Sequence, residues 1–254
     1  MRDVAEPSSF ADAMRAPAMQ PVLDLAQRAA RSSVHVLITG ESGAGKRSLA
    51  RWIHAAGVRR AGPLVAIGSA ALGDALLAGK AAAQAHALFR DAEGGTLVID
   101  ELFELPYEAQ AALVQLLDAP ELRPVGADGT RVIATTRHTV RGRLRPDLYY
   151  AIAVIAIAVP PLRERAEDIP ALVARFLARS PRRAAITDAA LAWLAAARWP
   201  GNVRELEAAI ERAVALSDDG RDDPVIDVAQ LAGAVPGLGP ATSPDHRGRR
   251  SFPR

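Results

Sequence analysis

Short apolar runs alternate with stretches whose apolar residues recur every three or four positions, through the first two thirds of the chain. The runs predict strands at Val34–Thr39, Leu64–Ile67, Thr96–Asp100, Arg131–Thr135 and Val154–Val159. The helical spacing predicts helices at Ala18–Ala30, Arg47–Ala56, Tyr107–Asp118 and Ile169–Ala178. Strands separated by helices predict a parallel sheet covered on both faces. Beyond Pro160-Pro161 the pattern becomes wholly helical. Thr187 can cap a helix running to about Ala197. Trp199-Pro200-Gly201-Asn202 breaks it, and Val203–Leu216 resumes with Val203, Leu206, Ile210 and Val214 on one face. The expected organisation is a flexible N-terminus over 1–11, an α/β domain over 12–165, a small helical domain over 166–232 and a disordered tail over 233–254. That tail is rich in Gly, Pro, Ser and Arg, and Arg247, Arg249, Arg250 and Arg254 make it basic. A solvated end is favoured there over weak phosphate contact.

Composition narrows the class without naming a chemistry. Apolar residues make up 50% of the 254 and charged ones 24%, the balance of a soluble globular protein. Aromatics are only 4%, so aliphatic side chains must fill the core. A net charge of +2 does not imply a nucleic-acid partner. The lack of cysteine excludes disulfides and thiol chemistry and is compatible with the cytoplasm. Met1–Pro17 contains acidic residues and no continuous apolar core, so it does not read as a secretory signal. The longest apolar run, Ala151–Val159, is too short to span a membrane, and its alternating Ile and Ala read as a buried strand. Among the five histidines no metal-ligand spacing occurs; His35 and His54 read as packing or surface residues.

Candidate chemistry enters at Gly40-Glu41-Ser42-Gly43-Ala44-Gly45-Lys46, between the first strand and a helix. Glycines at this spacing let backbone N–H groups turn into one concavity, and the helix N-terminus adds partial positive charge. Lys46 would reach the β- and γ-phosphates of a nucleotide. Arg47 stands where a Ser/Thr ligand of Mg²⁺ usually follows the lysine. A second element, Gly94–Glu101, is an apolar strand ending in two carboxylates. Asp100 would hold Mg²⁺ through water, and Glu101 would polarise the attacking water. A strand ending in acidic residues at the water boundary is the bland alternative, and the loop preceding it tips the balance.

With these segments in order, the chain resembles the AAA+ module of bacterial sigma-54-dependent transcription activators over about residues 12–232. The resemblance rests also on Glu104-Leu105-Pro106, Arg131–Thr136, Asp147–Tyr150, Pro160–Arg165, Asp168-Ile169-Pro170 and Trp199–Leu206. It implies a P-loop NTPase fold, an α/β parallel sheet flanked by helices with a C-terminal helical lid, and ATP with Mg²⁺ as cofactors. In that family the residue after the loop lysine is commonly acidic, so the basic Arg47 remains a departure. By resemblance, Arg145 matches an arginine finger reaching the nucleotide of a neighbouring ring subunit, Arg204 a lid arginine that senses nucleotide, and Thr136 the sensor threonine. The implied partners are further copies or paralogous AAA+ subunits in a ring, and sigma-54 RNA polymerase.

Several positions depart from the pattern. The sensor pair Thr-Asn reads Thr136-Arg137, a second family arginine is replaced by Ala151, and the asparagine that restrains the glutamate aligns with Gly68. Gly73–Glu93 is too short for the Gly-Ala-Phe-Thr-Gly-Ala loop that grips sigma-54, which argues against that partner. Neither the family's helix-turn-helix DNA reader nor its N-terminal sensory domain is expected from these residues. Two readings therefore stand: an ATPase in transcription regulation, or a degenerate nucleotide-binding module that joins or restrains another AAA+ ring. A weaker third is an AAA+ helper acting on a different macromolecule.

Overall fold

β1 (Val36–Thr39), β2 (Leu64–Gly68), β3 (Thr96–Asp100), β4 (Arg131–Thr136) and β5 (Ile155–Ala158) form one sheet in the order β2-β3-β4-β1-β5. Every neighbouring pair runs parallel, with Val36 opposite Ile133 and Ile155, and Gly68 opposite Asp100. The computed structural model describes residues 10–11, 13–77, 81–120, 129–137, 144–217 and 224–234. The basic tail of the sequence reading lies outside them.

Alternation along the strands decides which side chain faces which layer. Val36, Ile38, Val98, Ile133 and Ile157 pack on one face with α1 (Gln20–Ala30) and α2 (Lys46–Ala55). Leu37, Leu97, Ile99, Val132 and Ala134 pack on the other. That second face is covered by α3 (Ser69–Leu77), α4 (Ala81–Asp91), α5 (Tyr107–Asp118) and α6 (Pro146–Ile152). Parallel order puts all five strand C-termini along one edge, where the loops that carry ligand chemistry emerge.

The remaining elements form a lid-type helical region. It comprises α7 (Ile169–Arg179), β6 (Ala185–Ile186), α8 (Asp188–Ala196), α9 (Asn202–Leu216), β7 (Val225–Ile226) and α10 (Val228–Ala234). Thr187 caps α8 by accepting the Ala190 N–H at 3.2 Å. Buried Trp199 donates its indole N–H to the Leu194 carbonyl at 2.7 Å, closing the break between α8 and α9. Leu194, Trp199, Leu206, Ile210 and Leu231 share one apolar cluster with Val36 and Ile38.

Some expectations change. Phe10, assigned to a flexible N-terminus, is buried with its ring 6.3 Å from that of Trp52. α10 runs through Ala234, past the boundary drawn at 232. β5 is an edge strand in which Ile157 is buried while Ala156 and Ala158 are exposed, so Ala151–Val159 is not one buried strand. Its first residues instead finish α6, a helix started by Pro146 at its first position. In place of a long insertion, Ser69–Leu77 and Ala81–Asp91 are two helices seated on the core through Leu72, Leu76, Ala85 and Phe89. Among the described residues no helix is long and apolar enough to cross a membrane.

Candidate functional site

The loop between β1 and α2 is shaped by where its carbonyls go. Gly40 O and Glu41 O accept from the Lys46 ammonium at 3.0 and 3.1 Å. Ser42 O accepts from Asn202 Nδ2 at 3.0 Å, Gly43 O from the Val203 N–H at 3.0 Å, and Ala44 O from Arg165 Nη2 at 2.5 Å. In a trans peptide the N–H lies in the plane of the preceding carbonyl and points the opposite way. Gly43 and Gly45 both line the cleft beside this loop. Gly43 and Gly45 have φ of 75° and 96°, conformations that disfavour any side chain. Gly43 is doubly constrained, because a Cβ there would strike the carbonyl of Gly201.

Lys46 is 5% exposed and lies 3.4 Å from Glu101 Oε1. Burial pushes its pKa down, and the Glu101 carboxylate opposes that shift. Glu101 follows directly on β3 with φ 54° and ψ 50°, a left-handed conformation that is costly for a non-glycine residue. Ser69 Oγ holds the turn by donating to the carbonyls of Asp100 and Glu101, both at 2.7 Å. Beside it Gly68 offers no side chain to the glutamate.

The carboxylates are already partnered. Arg47 Nε lies 2.5 Å from Asp100 Oδ2, and Thr135 Oγ1 donates to Asp100 Oδ1 at 3.0 Å. Arg137 Nε lies 3.6 Å from Glu101 Oε2, and Arg137 Nη2 lies 3.9 Å from Glu104 Oε1. Both Asp100 oxygens are thus engaged, one by a permanently charged guanidinium. Among the described residues no group of three or more His, Asp or Glu is placed to hold a metal. So arranged, the residues do not fit the Mg²⁺ expected at Asp100. The physical reason is Arg47, a fixed cation where a hydroxyl or acidic ligand would sit.

A second correction concerns Thr136. Its hydroxyl is buried without a hydrogen-bond partner and does not line the cleft; Thr135 does. Adjacent strand residues face opposite sides, so only one of the two threonines can reach Asp100.

The lid closes over this loop. Arg163 pairs with Glu41 through two hydrogen bonds of 2.9 and 2.8 Å, and Asn202 Nδ2 reaches Glu41 Oε2 at 3.1 Å. Asn202 Oδ1 accepts the Leu162 N–H at 2.7 Å, with Asn202 itself at φ 54°. Underneath, Asp168 Oδ1 accepts the N–H groups of Arg15 and Ala16 at 2.6 and 2.7 Å, and Asp168 Oδ2 lies 3.8 Å from Arg165. Burial drives the Asp168 carboxyl up and Arg165 down. Arg204 lines the cleft with Lys46, Arg47, Arg51 and Arg137. That cleft has a volume of about 460 Å³.

Alongside lies a cavity of about 200 Å³, lined by Phe10, Met14, Met19, Leu172 and Phe176 and sharing Ala44 and Gly45 with the cleft. Arg165, Arg175, Arg179 and Glu207 complete its wall, and a cavity of mixed lining that opens onto a phosphate-type loop can take a flat heterocycle with polar edges. Sequence reasoning missed these apolar residues, which come from two distant segments, and gave no role to Arg163, Arg165, Asp168 or Asn202.

Arg145 lies apart from the cleft. It forms a bidentate pair with Asp147 at 3.1 and 2.8 Å and sits over the Tyr107 ring, 5.3 Å from its centroid. Gln110 Oε1 accepts its backbone N–H at 2.8 Å. The structure therefore brings together Gly40–Arg47, Asp100, Glu101 and Arg204, and leaves Arg145 on a different surface.

Residues 13–158 match the family described as Sigma-54 interaction domain, and residues 163–245 match the AAA+ ATPase lid domain. The chain belongs to the sigma-54 interaction domain family. It is similar to the DNA-binding transcriptional regulator NtrC of Azospirillum brasilense, 36% identical over 259 residues, covering 92% of this chain and 54% of that protein. The chain spans about half the length of the curated relatives it matches. Among solved structures it is similar to NtrX from Brucella abortus in complex with ADP, with a TM-score of 0.70 and 31% identity, covering 85% of this chain and 54% of that one. The same NtrX in complex with ATP gives a TM-score of 0.69 and 31% identity, covering 85% and 55%. The sigma-54 interaction domain and its lid thus account for nearly all the described residues.

Proposed function

We propose that this chain is an ATP-binding AAA+ subunit of a cytoplasmic transcription regulator, built to hold its nucleotide firmly and to turn it over slowly. The base fits the cavity of Phe10, Met14, Met19, Leu172 and Phe176, and the phosphates follow the amides of Gly43 and Gly45 to Lys46. The observation that carries the reading is Lys46: a buried ammonium held on two loop carbonyls, in a cleft also lined by two glycines of left-handed backbone. Nucleotide complexes of the similar NtrX support the same ligand.

The output is ring-dependent on this reading. Arg145 is outside its own cleft, paired with Asp147 over Tyr107, which suits a residue serving the nucleotide of a neighbouring copy or paralogue. Glu101 is positioned to polarise a water, but its two oxygens face Lys46 and Arg137. A carboxylate so engaged has its oxygens occupied where a water would bind, which favours modest hydrolysis. The second reading, a module that joins or restrains another ring, is favoured by the same pairing together with Arg47 on Asp100. Sigma-54 RNA polymerase is a weaker partner on either reading, because the segment that would reach it is the core-seated helix pair Ser69–Leu77 and Ala81–Asp91.

Calorimetric ATP titration of the purified chain tests this. Lys46→Ala is expected to weaken binding by roughly 100-fold. Unchanged affinity would remove the phosphate-loop assignment. Turnover per subunit should be slow and should rise with protein concentration; a concentration-independent rate sinks the ring assignment.

A further inference from the structure

Two substitutions converge on one place. Arg47 replaces the ligand residue after the loop lysine and Arg137 replaces the amide of the sensor pair. Sixty-two percent or more of each side chain is exposed in the cleft, yet each contacts one of the two adjacent carboxylates. Neither guanidinium is needed to hold the fold, and both stand beside the phosphate loop. Together the two arginines carry two positive charges, the charge of one divalent cation.

Resting on the nucleotide reading above, we propose that the cleft binds its nucleoside triphosphate as the metal-free anion, with the Arg47 and Arg137 guanidiniums on the phosphate oxygens in place of a divalent cation. The first argument is the donor set. Asp100 Oδ1 takes the Thr135 hydroxyl and Oδ2 takes Arg47. A divalent cation at Asp100 would have to sit close to the Arg47 guanidinium, which is anchored in the first turn of α2 and repels it whether it rests on Asp100 or on a phosphate.

The second argument is exchange. Both arginines are solvent-facing, so leaving a carboxylate for a phosphate breaks no buried packing. A guanidinium presents a planar fork that matches two phosphate oxygens, which a compact ammonium does not. Asp100 keeps its hydrogen bond from Thr135 after Arg47 departs. The carboxylates thus hold the arginines in the empty cleft, and the phosphates take them over on binding. No metal-dependent step is implied.

The test is ATP titration of the full chain in excess EDTA and in excess Mg²⁺, for wild type and Arg47→Ser. Wild type is expected to bind ATP at least as tightly in EDTA as in Mg²⁺. Arg47→Ser is expected to weaken metal-free binding by roughly tenfold and to make Mg²⁺ tighten it. Because Arg47 is 63% exposed, the variant keeps the fold, and its melting curve verifies that. Tighter wild-type binding in Mg²⁺, or unchanged metal-free affinity in Arg47→Ser, overturns this proposal and leaves the nucleotide reading intact. Failure of wild type to bind ATP in either buffer overturns both.

Discussion

The two ends of the parallel sheet hold cations in opposite ways. At the strand N-termini, Arg131 is fully buried and donates to the carbonyls of Ala29 and Val34 at 2.7 and 3.0 Å. Arg59 donates to the Gly129 carbonyl at 2.8 Å, and His35 Nδ1 accepts the Val132 N–H at 3.0 Å. At the strand C-termini, Arg47 and Arg137 rest on the carboxylates of Asp100 and Glu101 in an open cleft. A backbone carbonyl cannot follow a departing cation or be replaced by a solute. A side-chain carboxylate in water can be replaced by phosphate. One end is therefore scaffold, and the other is a place of exchange.

The sharpest way to break that contrast lies beneath the phosphate loop, where the exchanging end needs scaffold of its own. Asp168→Ala strips Arg165 of its carboxylate and the amides of Arg15 and Ala16 of their acceptor. The expected loss is about 3–5 kcal/mol in urea unfolding. A loss below about 1 kcal/mol would mean that this pair does not brace the loop.

The opposite end gives a smaller, pH-dependent effect. Burial, with Arg131 and Arg59 nearby, pulls His35 from 6.5 down to about 4. The unfolded chain therefore binds the extra proton first. Stability is full above pH 6.5 and is lost as pH falls towards 4, by about 3 kcal/mol. His35→Gln keeps an acceptor for Val132 and should flatten that slope in acid titrations of stability; an unchanged slope assigns the proton elsewhere.

Smallest is the exposed pair between lid and loop. Arg163→Ala breaks the bidentate contact with Glu41 and should cost less than about 1 kcal/mol, shrinking further in salt. A salt-insensitive loss of several kcal/mol would place Arg163 with the scaffold.

Much of this was legible in the sequence because it was local. β3, α5 and the Thr187 cap follow from period and capping chemistry, and the loop from glycine spacing before a lysine. The identity of the reaching threonine was not legible: Thr135 and Thr136 differ only in strand phase, which one sheet register sets. Nor was the cavity beside the loop, because Phe10, Met19 and Phe176 meet only after the lid folds back. Arg47 stood out as a departure, but its ion pair with Asp100 spans 53 positions in the chain and needed the parallel sheet to bring the two together.

The close approach at Gly43 has a mechanical consequence. Its carbonyl takes the Val203 N–H, and the space where a Cβ would stand belongs to Gly201. Backbone meets backbone there, with no compliant side chain to absorb a displacement. The phosphate loop and the first turn of α9 therefore mesh like two gear teeth, so any rotation of the loop peptides is handed to the lid without slack.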